Sequence, residues 1–283
     1  MQVSSKYKNI IEYYNQTYID YKNIWKTDEN LSIHSGFHDK KHTRHNDALI
    51  NMNRALAKIA KISSKDKVLD CGCGIGGSTI WLAKEIKANL TGININKMQI
   101  KMARCLIKEN NVKGFVRVVN DDYIKTRFQP KTFDVVWGLE SICYAYDKKQ
   151  FLKEAKRILK ENGRIIIADG FLKTKNLNSK EKEEMSIWLN GWAVPNLSTV
   201  SEFKKYLKEL NFRNIKYKDI KKNVMPSSKR LYYSSIIGYP FGMVLKWLGL
   251  RNEIQTNNMI GAYYQHTTLR KGLWTYGIFY AEK

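Results

Sequence analysis

The chain reads as an α/β protein: a seven-stranded, mostly parallel sheet with helices on both faces and a helical cap. Three observations predict it. Between residues 67 and 168, short apolar runs alternate with amphipathic segments of helical spacing, the order that a parallel sheet covered on both faces requires. A glycine-rich turn, Asp70-Cys71-Gly72-Cys73-Gly74-Ile75-Gly76, joins the first strand to the first of these helices. Asp70, Asn94, Asp122, Glu140 and Asp169 fall at or just beyond strand carboxyl ends, where open α/β sheets bind ligands.

The elements follow in order. Val68-Leu69 is a first strand, and residues 76–87 are helical through Ile80, Leu82, Ala83 and Ile86. Residues 88–94 form a second strand. Residues 97–110 form an amphipathic helix (Met98, Met102, Ala103, Leu106) that Asn110-Asn111 ends. Val116–Val119 is a third strand and Phe133–Trp137 a fourth, preceded by the turn Gln129-Pro130-Lys131. A helix over 148–160 stops at Glu161-Asn162-Gly163, and Arg164–Ala168 is a fifth strand. Residues 201–210 are helical, and 214–220 and 274–281 are the last strands. Segments 1–60, 170–200 and 221–273 fall outside this core. The expected organisation is therefore an N-terminal helical cap (1–60) and one catalytic domain (61–283), with substrate-cap insertions at about 170–200 and 221–273.

Alternating glycines let the backbone turn sharply and let a ligand lie against main-chain N–H groups, with a helix N-terminus just beyond that favours a polar or anionic group. A dinucleotide fingerprint needs Gly-x-Gly-x-x-Gly and a P-loop needs Gly-Lys-Ser/Thr; neither is present. The Asp-x-Gly-x-Gly-x-Gly order resembles motif I of the class I S-adenosylmethionine (SAM) methyltransferases, which have a Rossmann-like fold whose last strand is antiparallel. Further segments look like the sterol, tocopherol and cyclopropane-fatty-acid group within that family: Tyr13-Tyr14-Asn15-Gln16-Thr17, Ile33–His38, Gly138–Tyr144 and the closing Gly272–Gly277.

The resemblance implies roles for particular residues. Asp70, Gly72 and Gly74 would hold the methionine part of SAM. The second strand ends in Asn94 where many relatives have an acid that grips the ribose, and Gln99 in the next helix would share that task. Asp122 would accept from the adenine amino group, with Tyr123 beside it and Asp121 competing for the role. Glu140 is the candidate catalytic carboxylate, stabilising a carbocation or accepting its proton, with Tyr144 as its neighbour.

His34, His38, His42 and His45 would share one helix face, but Gly36 and Asp39-Lys40 suggest a loop for part of the stretch, so no metal is expected and His34 is expected to line the acceptor pocket. Residues 231–250 approach transmembrane length but carry Pro240, Lys246 and three glycines; two short helices over a greasy acceptor are expected instead of a span.

With 43% hydrophobic residues among 283, the chain has enough apolar side chains for a core. Its four cysteines show no paired framework, and Cys71 and Cys73 are spacer positions of the glycine turn; with a polar, Tyr-rich N-terminus, a reduced cytoplasmic setting is expected. The net charge of +23 favours anionic partners, although the lysines are scattered as on a solvated surface. Exposed Tyr and Trp in such a protein suit peripheral contact with an anionic membrane. The resulting expectation is SAM-dependent methyl transfer to a hydrophobic acceptor of sterol, quinone or isoprenoid type. C-methylation fits the group, and a prenyl diphosphate would suit the basic surface. O- or N-methylation of another small natural product is the alternative. Nucleic acid is a poorer fit, because the residues after strand four are Gly138-Leu139-Glu140-Ser141 and not Asn/Asp-Pro-Pro-aromatic.

Overall fold

The computed structural model describes residues 5–283; the first four residues of the expected cap lie outside the described residues. The chain runs through α1 (Lys8–Asp20), α2 (Thr27–Asn30), α3 (His45–Ile59), β1 (Lys67–Cys71), α4 (Gly77–Glu85), β2 (Asn89–Asn94), α5 (Lys97–Glu109) and β3 (Val116–Asn120). It continues with β4 (Phe133–Leu139), α6 (Lys148–Ile158), β5 (Leu159–Leu172), α7 (Ser179–Gly191) and α8 (Val200–Glu209). β6 (Arg213–Asp219), α9 (Lys221–Trp247), α10 (Glu253–Lys271) and β7 (Trp274–Glu282) complete it. Each predicted strand is present, displaced by only a few residues at its ends.

The strands form one sheet in the order β3-β2-β1-β4-β5-β7-β6. β1 is parallel to β2 and β4, β2 to β3, and β4 to β5, while β7 runs antiparallel between β5 and β6. Chain order reverses between β1 and β4, so the crevice beyond their carboxyl ends is where this topology places a ligand.

Alternation along the strands buries both faces. Val68, Val135 and Ile166 pack with Met52 and Leu56 of α3, Ile80 of α4 and Ile100 of α5. Their neighbours Leu69, Val136 and Ile165 pack with Phe151 and Leu152 of α6 and Phe203 and Leu207 of α8. Side chains within the helix starts fix several boundaries. Asn96 caps α5 through Met98 and Gln99, and Asn178, Thr199 and Asn252 each form a capping box with the residue three positions on.

One segment expected in the cap departs from its expected form. The 221–247 stretch is a single helix of 27 residues that passes through Pro226 and Pro240, not two short helices. Each proline removes one backbone donor. α9 packs closely along α10: at Gly242 a Cβ would come within 2.8 Å of the Met259 Cε, so a larger residue there would require that side chain to shift. Among the described residues, no helix is long and apolar enough to cross a membrane.

Candidate active site

The Asp70 carboxyl is buried under the glycine turn, and Thr79 of α4 donates to its Oδ2 at 2.6 Å. Burial pushes this carboxyl up to about 6, against the lowering effect of the Thr79 bond. Gly72, Gly74 and Gly76 take left-handed backbone (φ +80°, +55° and +91°). At Gly72 a side chain would also collide, its Cβ lying 2.6 Å from the Ser141 Cβ. The turn is held from β2, because the Gly72 and Cys73 N–H groups both donate to the Ile93 carbonyl (2.8 and 3.0 Å). α4 begins with no side-chain cap, and Gly77 and Ser78 of its first turn line the adjoining cavity, which therefore meets the positive end of a helix dipole.

Asn94 and Gln99 line the same cavity, and Asn94 donates to the Gln99 Oε1 at 2.8 Å. Tyr123 lines it too, anchored by its hydroxyl to the Ser141 carbonyl at 2.8 Å. These residues fit the expected cofactor. The second oxygen of Asp70 is not engaged by Thr79 and suits an ammonium group. The glycines of the turn, with no Cβ, suit close approach of the methionine part, and the amides of Asn94 and Gln99 suit ribose hydroxyls.

A second cavity, of about 300 Å³, adjoins the first. Its lining is largely aromatic and apolar: Tyr14 and Tyr21 from the N-terminal segment, Trp188 and Trp192, Trp274 and Tyr276 from β7, with Leu231, Leu245 and Met259 from α9 and α10. Three carboxylates share it: Glu140, Asp169 and Asp20. Asp169 ends the core part of β5 and accepts from the Cys143 and Gly170 amides, both at 2.8 Å; burial raises its pKa. A polar corner is closed by Arg251, whose two terminal nitrogens meet the Asp20 carboxylate at 3.0 Å each.

Tyr14, Ile33, Glu140 and Tyr144 line both cavities. Glu140 is the notable one. It follows β4 directly and sits in the left-handed region at φ +47°, a conformation that costs a non-glycine residue on the order of 1–3 kcal/mol. Three bonds hold it there: its N–H donates to the Ala168 carbonyl (2.9 Å), and its Oε1 accepts from the Ser35 N–H (2.7 Å) and the Tyr276 hydroxyl (2.9 Å). Burial pushes the Glu140 carboxyl up to about 7, with a contribution from the Asp169 charge, while the Ser35 and Tyr276 bonds pull it down. The result is a carboxyl group that exchanges its proton near neutrality.

The loop after Glu140 is pinned by a buried lysine. Lys148 donates to the carbonyls of Cys143 (2.8 Å), Ala145 (2.7 Å) and Asn196 (2.8 Å) and to the Asn196 Oδ1 (2.6 Å), and burial lowers its pKa to about 8. Tyr144, held in this loop, donates to the Trp192 carbonyl at 3.2 Å, and its ring centroid lies 5.6 Å from that of Tyr14.

Two expected residues land elsewhere. His34 lines the cofactor cavity and is absent from the wall of the acceptor cavity. Its Nδ1 lies 3.0 Å from the Ser35 carbonyl, and burial holds its pKa down to about 4, so it is a neutral imidazole. Its place follows from the extended 33–38 segment, which aims Ser35 and not His34 at Glu140. Asp122 is not brought into the cavity wall: its Oδ2 accepts from the Tyr7 hydroxyl (2.7 Å) and its Oδ1 from the Ile124 N–H (2.9 Å). It fastens the residue before α1 to the core. The other histidines have separate surroundings, His38 beside Ser227, His42 beside Asp39, and His45 against the Trp25 ring.

Several site residues carry no signal that names them in the sequence. Tyr276 reaches Glu140 because β7 inserts beside β5, with Tyr276 opposite Gly170. Ser35 acts through its amide, which any residue but proline would supply. The strand-end position of Asp169 marks it as near the crevice but not as a partner of Glu140.

Residues 69–167 match the family model described as a methyltransferase domain. Over 98% of its length the chain is 27% identical to tocopherol O-methyltransferase of Arabidopsis thaliana, 82% of which is spanned. It is 36% identical over half its length to 2-methyl-6-phytyl-1,4-hydroquinone methyltransferase of Synechocystis sp., 44% of which is spanned. The chain spans about half the length of several further curated relatives, among them an N-methyltransferase of glycine, sarcosine and dimethylglycine. Among solved structures it is similar in fold to geranyl diphosphate C-methyltransferase of Streptomyces coelicolor, crystallised with Mg2+, geranyl diphosphate and S-adenosyl-L-homocysteine. The TM-score is 0.76 at 15% identity, over 100% of this chain and 99% of that one.

Proposed function

We propose that this chain, a class I SAM-dependent methyltransferase by its domain match, glycine turn and sheet order, methylates a hydrophobic acceptor of isoprenoid type, a sterol, a prenylated quinol or a prenyl chain. The observation that carries the reading is Glu140. It stands where the cofactor cavity meets a large aromatic cavity, in a strained backbone conformation and with a carboxyl pushed up to about 7.

When bound, SAM supplies an electrophilic methyl group on a sulfonium. Asp70, the glycine turn, Asn94 and Gln99 bind and orient the cofactor from one side. Tyr14 and Tyr144 stand between the cavities, where their ring faces favour positive charge on either side. The aromatic wall excludes water and takes up an apolar acceptor.

An acceptor that gains a methyl cation sheds a proton to remain neutral overall, from O–H in a phenol or from a C–H beside a cationic carbon. Glu140 in its ionised form takes it on the carboxylate oxygen that Ser35 and Tyr276 leave free, while those two donors hold Oε1 at 2.7 and 2.9 Å. Asp169 adds a second negative charge to the same cavity wall. A prenyl diphosphate acceptor is the variant that would make use of the basic surface, and a peripheral membrane is where such acceptors are met.

The test incubates the protein with methyl-labelled SAM and defined acceptors: a phytyl quinol, a sterol, a prenyl diphosphate, and a polar amine as control. Label in one of the first three and none in the amine supports the reading. Transfer only to the amine overturns it in favour of a polar N-methylation.

A further inference from the structure

We propose that the outer face of the second half of α9, with the turn after it, inserts into an anionic bilayer, and that the acceptor enters its cavity from that bilayer past Phe241. The second half of this statement rests on the hydrophobic-acceptor reading; the first rests on the surface alone.

α9 has two faces with different surroundings. Leu231, Ser234, Ser235, Gly238, Gly242 and Leu245 recur at helical spacing and line the large cavity. On the other side Ile237 (77% exposed), Trp247 (84%) and Leu250 (71%) stand in solvent, with Val244 and Leu248 beside them. Scattered apolar residues on a surface are ordinary, but a run of this size on one helix end is not, and it marks an interaction surface. Phe241 belongs to both faces: it lines the cavity and is 66% exposed. It is therefore at the rim, where the cavity wall becomes the outer patch.

Charge and composition select the occupant. Between Asp219 and Glu253 the chain has Lys221, Lys222, Lys229, Arg230 and Lys246 besides Arg251, whose charge Asp20 meets, and no acidic residue. An anionic, apolar-cored surface complements both features. A second copy would bring the same patch and another +23 against it, and like charges oppose that pairing. Nucleic acid would leave Ile237 and Trp247 without an apolar environment. Tyr233, Tyr239 and Trp247, exposed along this stretch, are side chains that settle at headgroup depth. Because no described helix is long and apolar enough to span, the helix end lies in the interface, penetrating about 5–10 Å.

The test sediments the purified protein with vesicles of equal parts phosphatidylcholine and phosphatidylglycerol, and with phosphatidylcholine alone. The I237S/W247S variant is run in parallel, with its melting temperature and SAM affinity as checks on folding. Wild type should bind the anionic vesicles at least about tenfold more tightly than the neutral ones, less so in high salt, and the variant should lose about tenfold or more of that binding. Equal binding by variant and wild type overturns the proposal. So does a failure of wild type to bind, or a dimer that the variant abolishes.

The entry route is read by presenting the acceptor in vesicles and in detergent. The variant should lose rate on vesicles and keep it in detergent; equal loss in both contradicts entry from the bilayer. Vesicle binding without label in any hydrophobic acceptor would overturn the functional reading and the route together, and would leave the docking standing.

Discussion

The Tyr276 hydroxyl donates to Glu140 Oε1 at 2.9 Å, and so joins the inserted antiparallel strand to the residue that follows β4. Through this bond the least regular part of the sheet positions the carboxyl that the chemistry needs. The bond favours the ionised form of Glu140, while burial favours the neutral one, and burial is the larger effect.

Replacing Glu140 by Gln keeps size and shape and removes the proton acceptor. SAM affinity by calorimetry should stay within about twofold, while kcat should fall by about 10²-fold or more, the usual size of a general-base contribution. Unchanged turnover would remove Glu140 from the mechanism.

The pH dependence follows from the same carboxyl. As a base it works ionised, so kcat should rise through a midpoint near 7 and level off above it. The surrounding titratable groups include Asp169, Cys143, Tyr14, Tyr21 and Tyr276, of which Asp169 raises the midpoint further. Tyr276→Phe deletes a donor to the charged form, so its profile should shift to higher pH. A shift to lower pH would contradict the account.

Stability should respond as well. The folded pKa of Glu140 lies above the value of about 4.3 for an unfolded chain. Folding therefore favours the protonated form: the contribution is fully present below the unfolded pKa and is lost as pH rises through about 7. Glu140→Gln stays neutral throughout, so it should melt higher than wild type at pH 8, with the difference closing towards pH 4. Thermal scans at the two pH values read this directly.

Asp70→Asn removes the negative charge under the glycine turn, and its Oδ1 can still accept from the Thr79 hydroxyl. SAM affinity should weaken at least about tenfold, the scale of a hydrogen bond to a charged group. Calorimetry measures it, and an unchanged Kd would place the ammonium elsewhere.

Much of this was legible in the sequence because it depends on local pattern. Two-sided apolar runs mark the strands, and the alternating glycines of the Asp70–Gly76 turn mark a sharp turn, since positive φ favours glycine there. Glu140 was visible from its place after β4. What was not legible depends on contacts between distant segments. Proline punctuation suggested a break in residues 231–250, yet packing on α10 carries α9 through it. Asp122 has the strand-end position of a ligand residue, and its bond to the Tyr7 hydroxyl joins segments that no local pattern links. The resemblance points to His34 as an acceptor contact; in the structure it is the next residue's backbone amide that reaches Glu140.

The most direct test of the central claim gives methyl-labelled SAM to wild type and to Glu140→Gln in the presence of a lipid extract or total RNA from the source cells. The account predicts label in the organic-soluble fraction with wild type, a loss of at least about 10²-fold with the variant, and none in RNA. Label in RNA, or equal lipid labelling by both proteins, would contradict it.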